Sequence, residues 1–366
     1  MKIRTVYNKA LNLGLKSCLI SLMGLLCLSA VSQTRGVELS QTITKNFTFN
    51  RNQILEIKNK YGKIHVNSWD KSQASIKIVI TSKANNRDNA QRRLDEVEIR
   101  ERTFGQKIQL ETIIPDNIVA RVMTDRGVKV SYEIYMPKYG LLEIENKYGD
   151  VYLSERDANV DIEISYGKLI ANRLAGQNNA LKLSFGDSDI AYIGGGDIGC
   201  SFVQRLYIGE AKTLNLKTNS TSVNIGQVDK LTFNGNLGKM EIDEADLVSG
   251  NFSSTLFSIA KLNKSLNMVI KYAPSFQIHQ IAADFTSIRI ESSLSPIQLR
   301  FHEKATFLLD AQMEFGSISK NATRQSNLTE SKEGNFNISK GKIGSGNKPN
   351  SKVYIRGKYG SLKISQ

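Results

Sequence analysis

Six consecutive residues, Gly194-Gly195-Gly196-Asp197-Ile198-Gly199, match the spacing of a dinucleotide-binding loop, GxGxxG. That chemistry needs the loop to open a helix whose N-terminus meets the pyrophosphate. Here Ser201 to Tyr207 reads as a strand, so the glycines are expected to form a turn. His65, His279 and His302 are the three histidines of the chain, and none falls in an HxH, HxxxH or HExxH pattern. A zinc site or a Ser/His/Asp triad would have to be assembled from distant strands. Carboxylates cluster at Asp187-Ser188-Asp189 and at Glu241-Ile242-Asp243-Glu244-Ala245-Asp246. Stacked on neighbouring strands about 4.8 Å apart, such groups could form a calcium site or a polysaccharide-lyase cleft; singly, they read as solvated turns. Cys200, between Ile198 and Phe202, reads as a buried, inert thiol. No residue is assigned a catalytic, cofactor-binding or metal-ligating role, and the chain is expected not to be an enzyme.

The elements that would position these residues begin after a leader. Residues 1–32 carry Lys2, Arg4, Lys9 and Lys16 without an acidic residue, then an apolar run from Cys18 to Val31 and small residues around Ala30-Val31-Ser32. The run is about 14 residues where a membrane span needs about 20, so it reads as a cleaved secretory signal and leaves no integral membrane span. Cys18 and Cys27 leave with it, Cys200 remains alone, and no intramolecular disulfide can form. The formal charge of +14 becomes +10 once those four cations are removed. A basic exported chain favours acidic surfaces, such as an anionic glycan or the envelope. Its Lys and Arg are scattered, which gives no sign of a nucleic-acid site.

One pattern organises the rest. An aromatic residue, Gly, a polar residue and an apolar one recur at Tyr61-Gly62-Lys63-Ile64, Tyr148-Gly149-Asp150-Val151, Tyr166-Gly167-Lys168-Leu169, Phe315-Gly316-Ser317-Ile318 and Tyr359-Gly360-Ser361-Leu362. With Phe185-Gly186, Phe104-Gly105 and Tyr139-Gly140 the aromatic-Gly pairs number eight, against roughly two expected by chance from the composition, which marks a repeat architecture. Between the pairs the sequence alternates with period 2, as in Val160-Asp161-Ile162-Glu163-Ile164, so each pair reads as a corner where a half-buried strand bends. Gly is expected to supply positive φ there. Positions 148, 166 and 185 lie 18 and 19 residues apart, and degraded corners are expected at Ser220, Leu237, Phe257 and Phe285. Three rings one repeat apart, Tyr148, Tyr166 and Phe185, are expected to stack. The polar stretch from Lys320 to Asn350 reads as inserted loops or altered corners. The expected fold is all-β, a parallel β-solenoid or β-helix.

Residues 33–136 differ from the repeat region, 137–366. Asn85 to Glu96 has helical spacing between strands at Ile76–Ile80 and Lys107–Leu110, which predicts a small strand-helix-strand insertion, followed by a strand from Val128 that ends at Pro137. The leader, the copy Leu55-Glu56-Ile57-Lys58-Asn59-Lys60-Tyr61-Gly62, the insertion, a Tyr-x-Met-Pro segment and the second copy Leu142-Glu143-Ile144-Glu145-Asn146-Lys147-Tyr148-Gly149 together resemble the bacterial "putative adhesin" domains. These are uncharacterised β-solenoid domains of Bacteroidota-type envelope proteins, likened to autotransporter adhesin heads. The resemblance spans most of the chain after the leader, but its motifs are corners and carry no catalytic residue across.

The expectation is therefore an exported, adhesin-like protein of the periplasm or cell surface, binding an extracellular or envelope partner through its lateral faces. A polysaccharide lyase or hydrolase on the same fold is the alternative, to be recognised by three or more carboxylates gathered with Arg or Lys in one groove. A structural or signalling envelope component is a third reading.

Overall fold

The computed structural model describes residues 36–115, 127–321, 327–346 and 349–366; the leader expected over residues 1–32 lies outside the described residues. The chain is mostly β, and its 23 described strands join one mixed sheet in which most pairings are parallel.

Strand β1 (Val37–Thr48) precedes the first repeat unit, β2 (Ile54–Lys60) and β3 (Ile64–Trp69), which meet at Tyr61-Gly62. The insertion then runs β4 (Gln73–Ala84), α1 (Arg87–Asp95), β5 (Glu98–Phe104) and β6 (Lys107–Ile113), with β5 added between the helix and the expected strand. The α1 N-terminus is set by Asn86, whose side chain accepts from Asn89 N at 2.9 Å, and Ala90 and Leu94 are its buried positions. β7 (Val128–Pro137) closes the insertion. β6 and β7 lie parallel to β2 and β3, while β1, β4 and β7 pair antiparallel. The first unit's outer edge is thereby covered, which removes an open template for pairing with other chains.

Its other edge receives β8 (Leu141–Lys147) and β9 (Val151–Arg156). Leu55 lies beside Leu142, Ile57 beside Ile144, Asn59 beside Asn146 and Lys60 beside Lys147, so the two near-identical segments are neighbours in register. Equivalent places in adjacent strands impose the same residue. The pattern continues through β10 (Val160–Ser165), β11 (Leu169–Leu174), β12 (Asn179–Ser184), β13 (Asp187–Ser201) and β14 (Arg205–Lys271), with partners such as Val160 and Leu142, Ala180 and Asp161, Arg205 and Asp187 one repeat apart. The inward positions, such as Ile162, Leu181, Ile198 and Leu214, are fully buried, as period-2 alternation requires.

β15 (Phe276–Ile281), β16 (Ser287–Ser293) and β17 (Ile297–Phe301) extend the stack, but β18 (Phe307–Glu314) and β19 (Ser317–Asn321) do not take the next place. The polar stretch expected as loops holds an antiparallel hairpin, β20 (Asn327–Glu333) and β21 (Phe336–Ile343), laid against β18. β22 (Ser351–Lys358) then enters between β16 and β18, and β23 (Ser361–Ser365) between β17 and β19. The last chain segment is thus the penultimate layer.

Candidate functional site

The corners form a column on the surface. Tyr61, Tyr148, Tyr166, Phe185 and Phe202 have φ between 55° and 59°, the left-handed region, and each donates its backbone N–H to the neighbouring repeat, as Tyr148 does to Ser165 O at 2.9 Å and Tyr166 to Ser184 O at 3.0 Å. Sequence reasoning placed the positive φ on the glycines; the structure puts it on the aromatic residue before each glycine. A bulky residue there costs about 1–3 kcal/mol, offset by these hydrogen bonds and by ring stacking. The rings lie 4.7–5.3 Å apart with interplanar angles of 4–10° along Tyr61, Tyr148, Tyr166, Phe185 and Phe202. The expected ladder is present, but on the outside: Tyr148 is 48% and Tyr166 50% exposed.

The glycine has a different duty. A Cβ on Gly149 would lie 1.9 Å from Gly62 O, one on Gly167 2.0 Å from Gly149 O, and one on Gly186 2.0 Å from Gly167 O. Each glycine is required because the backbone of the neighbouring repeat occupies the place of its side chain. Beneath this first stretch, Asn59 Nδ2 donates to Val130 O and Asn146 Oδ1, and Asn146 Nδ2 to Gly62 O and Gly149 O. The buried amides satisfy the carbonyls that the bend frees.

A second type of corner went unread in the sequence. Phe202, Ser254, Tyr272 and Leu294 also have positive φ, and the expected corners Phe257 and Phe285 are instead buried core rings. After Ser220, Ser254 and Leu294 comes a hydroxyl residue that donates to the carbonyl two residues earlier: Thr221 to Asn219, Thr255 to Ser253 and Ser295 to Ser293. Ser295 Oγ accepts in turn from Ala273 N at 2.9 Å. A Ser or Thr behind the bend was the available signal at Ser254 and Leu294, whereas Phe202 and Tyr272 are followed by Val203 and Ala273 and carry none. Phe104-Gly105 and Tyr139-Gly140, counted with the repeat, are not corners of the column: Gly105 turns β5 into β6, and Gly140 follows β7, its N–H on Pro137 O.

The column continues through Ser220, Leu237, Ser254, Tyr272, Leu294, Tyr359 and Phe315, with Leu237, Tyr272, Leu294, Tyr359 and Phe315 each about half exposed. Because the rings face one another, their π-faces are hidden and their edges and the tyrosine hydroxyls are presented. Such a stripe suits acceptor atoms and apolar edges better than face-on stacking of a sugar ring.

The residues singled out for chemistry are placed apart. Gly194 to Gly199 lie within β13, and a Cβ on Gly196 would meet Asn179 O at 2.0 Å; the run is strand, not the turn expected. His65 stacks on Tyr152 at 4.3 Å, His279 sits on β15, and His302 Nδ1 accepts from Lys304 N. Asp189 pairs with Arg205 at 3.5 Å. Glu241 is held by Lys239 and Asn224, Glu244 by Asn263 and Lys261, and Asp246 by Lys264 and Asn263; these partners keep all three carboxyls below the usual carboxylate range. Among the described residues no group of three or more His, Cys, Asp or Glu comes together as a metal site. Burial pushes the Cys200 thiol up to about 12. Among the described residues no helix is long and apolar enough to cross a membrane.

No protein-family model and no curated protein matches the chain. Among solved structures it is similar to a "putative cell adhesion protein" from Clostridium sporogenes ATCC 15579, at 11% identity and a TM-score of 0.18 over 90% of this chain and 99% of that one. It is also similar to a "putative adhesin" from Parabacteroides distasonis ATCC 8503, at 9% identity and a TM-score of 0.29 over 72% and 95% of the two chains. A "putative lipid binding protein" from the same organism aligns at 10% identity and a TM-score of 0.30 over 89% and 97%. At these scores the likenesses carry no argument about ligand or activity.

Proposed function

We propose that the chain is an exported β-solenoid that acts by binding, without catalysis, an acidic extracellular or envelope polymer along its lateral faces. The observation that supports this reading is the register: corner residues and outward side chains recur about once per repeat along the parallel pairings, so a repeating ligand meets a repeating surface. Many weak contacts then add along one rigid body. The corner column supplies exposed apolar area at Tyr148, Tyr166, Phe185 and Phe202 and, beyond the serines at 220 and 254, at Tyr272, Leu294, Tyr359 and Phe315, the kind of surface that marks an interaction site.

The carboxylate cluster singled out in the sequence at 241–246 is poorly suited to glycoside chemistry. A general acid for glycoside cleavage needs a raised pKa, whereas Glu241, Glu244 and Asp246 are lowered by their amide and lysine partners. The envelope or cell surface is the matching location, and the +10 charge of residues 33–366 the matching sign.

The test is an array of glycans and envelope components probed with residues 33–366, read at low and high salt beside neutral glycan controls. Retention on acidic polymers that falls steeply with salt is expected, since exposed charges are screened over about 8 Å at physiological ionic strength. No retention at low salt, or retention indifferent to salt, overturns the reading.

A further inference from the structure

Resting on that reading of an acidic partner, we propose that a pocket over β15, β17 and β23 binds a tetrahedral oxyanion, a phosphate or sulfate ester carried on a glycan polymer. The pocket measures about 190 Å³ and is lined by Gln277, His279, Gln298, Arg300, Lys363 and Ser365 together with the backbone between them. It is smaller than the roughly 300 Å³ at which pockets for whole organic ligands begin, so it takes a group and not a molecule.

Three adjacent parallel strands build it. Gln277 lies beside Gln298 and Gln298 beside Lys363, while Arg300 lies beside Ser365. The cations therefore alternate with neutral donors in a checkerboard. Arg300 and Lys363 are diagonal neighbours, which sets their backbones about 7–8 Å apart, close enough to share one anion and far enough to avoid direct opposition.

Many cations elsewhere on the lateral surface sit against carboxylates, as Lys239 does with Glu241, Lys261 with Glu244, Arg289 with Glu291 and Arg356 with Asp310, while among the described residues Lys217 and Lys271 stand singly on β14. No carboxylate lines this pocket. Among the described residues, the side chains of His279, Arg300 and Lys363 have no hydrogen-bond or ion-pair partner. Two cations and an imidazole, all exposed and without a partner among the described residues, beside two amides and a hydroxyl, fit an anion with several acceptor oxygens. Donors from three adjacent strands stand side by side on one face of the sheet, so an ester anion with three or more acceptor oxygens can meet several of them at once.

The experiment measures binding of residues 33–366 to dextran sulfate, phosphorylated mannan, polygalacturonate, neutral dextran and phosphatidylglycerol vesicles. It compares the unaltered protein with Arg300→Gln/Lys363→Gln and with Lys217→Gln/Lys271→Gln, which removes the same charge from exposed positions on β14. Thermal unfolding confirms that both variants are folded. The first variant is expected to lose at least about tenfold in affinity for the sulfated or phosphorylated polymer, because it removes two charge-assisted donors, and the control less than about twofold, as screened surface charges do.

Equal losses in the two variants would overturn the pocket while leaving the general acidic-polymer reading intact. Tighter binding to polygalacturonate than to either ester polymer would overturn the choice of anion. Retention on vesicles but on neither polymer would overturn the glycan source in favour of a lipid headgroup. No binding of the unaltered protein to any anionic probe would overturn both proposals together.

Discussion

Replacing Gly167 by Ala adds one carbon where the neighbouring backbone already lies. That carbon would sit 2.0 Å from Gly149 O and 2.7 Å from Gly149 C, against an ordinary carbon–oxygen contact of about 3.3 Å. The two repeats must part by more than about 1 Å. Val151 N donates to Lys168 O at 2.8 Å and Tyr148 N to Ser165 O at 2.9 Å on either side of the contact, and neither bond survives such a shift. Losing two backbone bonds at about 1 kcal/mol each, with overpacking strain of about 1–3 kcal/mol, gives a destabilisation of about 3–5 kcal/mol. Two other glycines isolate the cause. Gly105 has φ +56° but nothing within 4 Å of an added Cβ, so Gly105→Ala should cost about 1–2 kcal/mol, from backbone conformation alone. Gly199 is extended, with its nearest neighbour, Leu181 O, at 3.9 Å, and Gly199→Ala should be neutral or stabilising by up to about 1 kcal/mol. Urea and thermal unfolding midpoints of the three variants are the assay. A Gly167→Ala midpoint equal to that of Gly199→Ala would refute the close-approach argument, and one equal to that of Gly105→Ala would return the cause to backbone φ.

Tyr166→Ala removes stacking on Tyr148 and Phe185 from a half-exposed ring and should cost about 1–3 kcal/mol by chemical denaturation; a cost of 4 kcal/mol or more, in the range of about 3–5 for a buried ring, would show that the ladder is core. Asn146→Ala leaves the carbonyls of Gly62 and Gly149 without their buried donor and should cost about 2–4 kcal/mol, whereas no change in midpoint would show that the amide does not hold the bend. Cys200 should resist a thiol reagent in the folded protein and react on unfolding. Its pKa is raised in the folded state, so the folded chain keeps a proton that the unfolded chain gives up, and stability should fall as pH rises from about 9 towards about 12. Rapid native-state labelling at pH 8 would contradict that. Lys264→Gln should raise the pKa of Asp246, whose carboxyl it holds down, in an NMR titration; an unmoved value would show the ion pair to be unformed in solution.

Sequence alone determined what depends on neighbours along the chain. Alternation such as Val160 to Ile164 marked the strands, because a strand's inward positions are every second residue whatever it pairs with. The helical spacing within Asn85 to Glu96 marked α1, because its start and buried face lie within three turns. The likeness of the segments at Leu55 and Leu142 marked a repeat, and the structure makes them adjacent.

What lay beyond reach was set by atoms from another repeat. Gly167 is glycine on account of Gly149 O, 18 residues away, so its own surroundings in the chain suggested positive φ instead. At the corners of Phe202 and Tyr272 the places of glycine are taken by Val203 and Ala273, both buried, with their N–H groups on hydroxyls of the next repeat. The entry of β22 and β23 between layers formed earlier in the chain follows from which strand edges remain open after β21, a property of the assembled sheet and not of any segment. The pocket of Arg300, Lys363 and Gln277 arises in the same way: those residues are up to 86 positions apart in sequence, and parallel registry alone makes them neighbours.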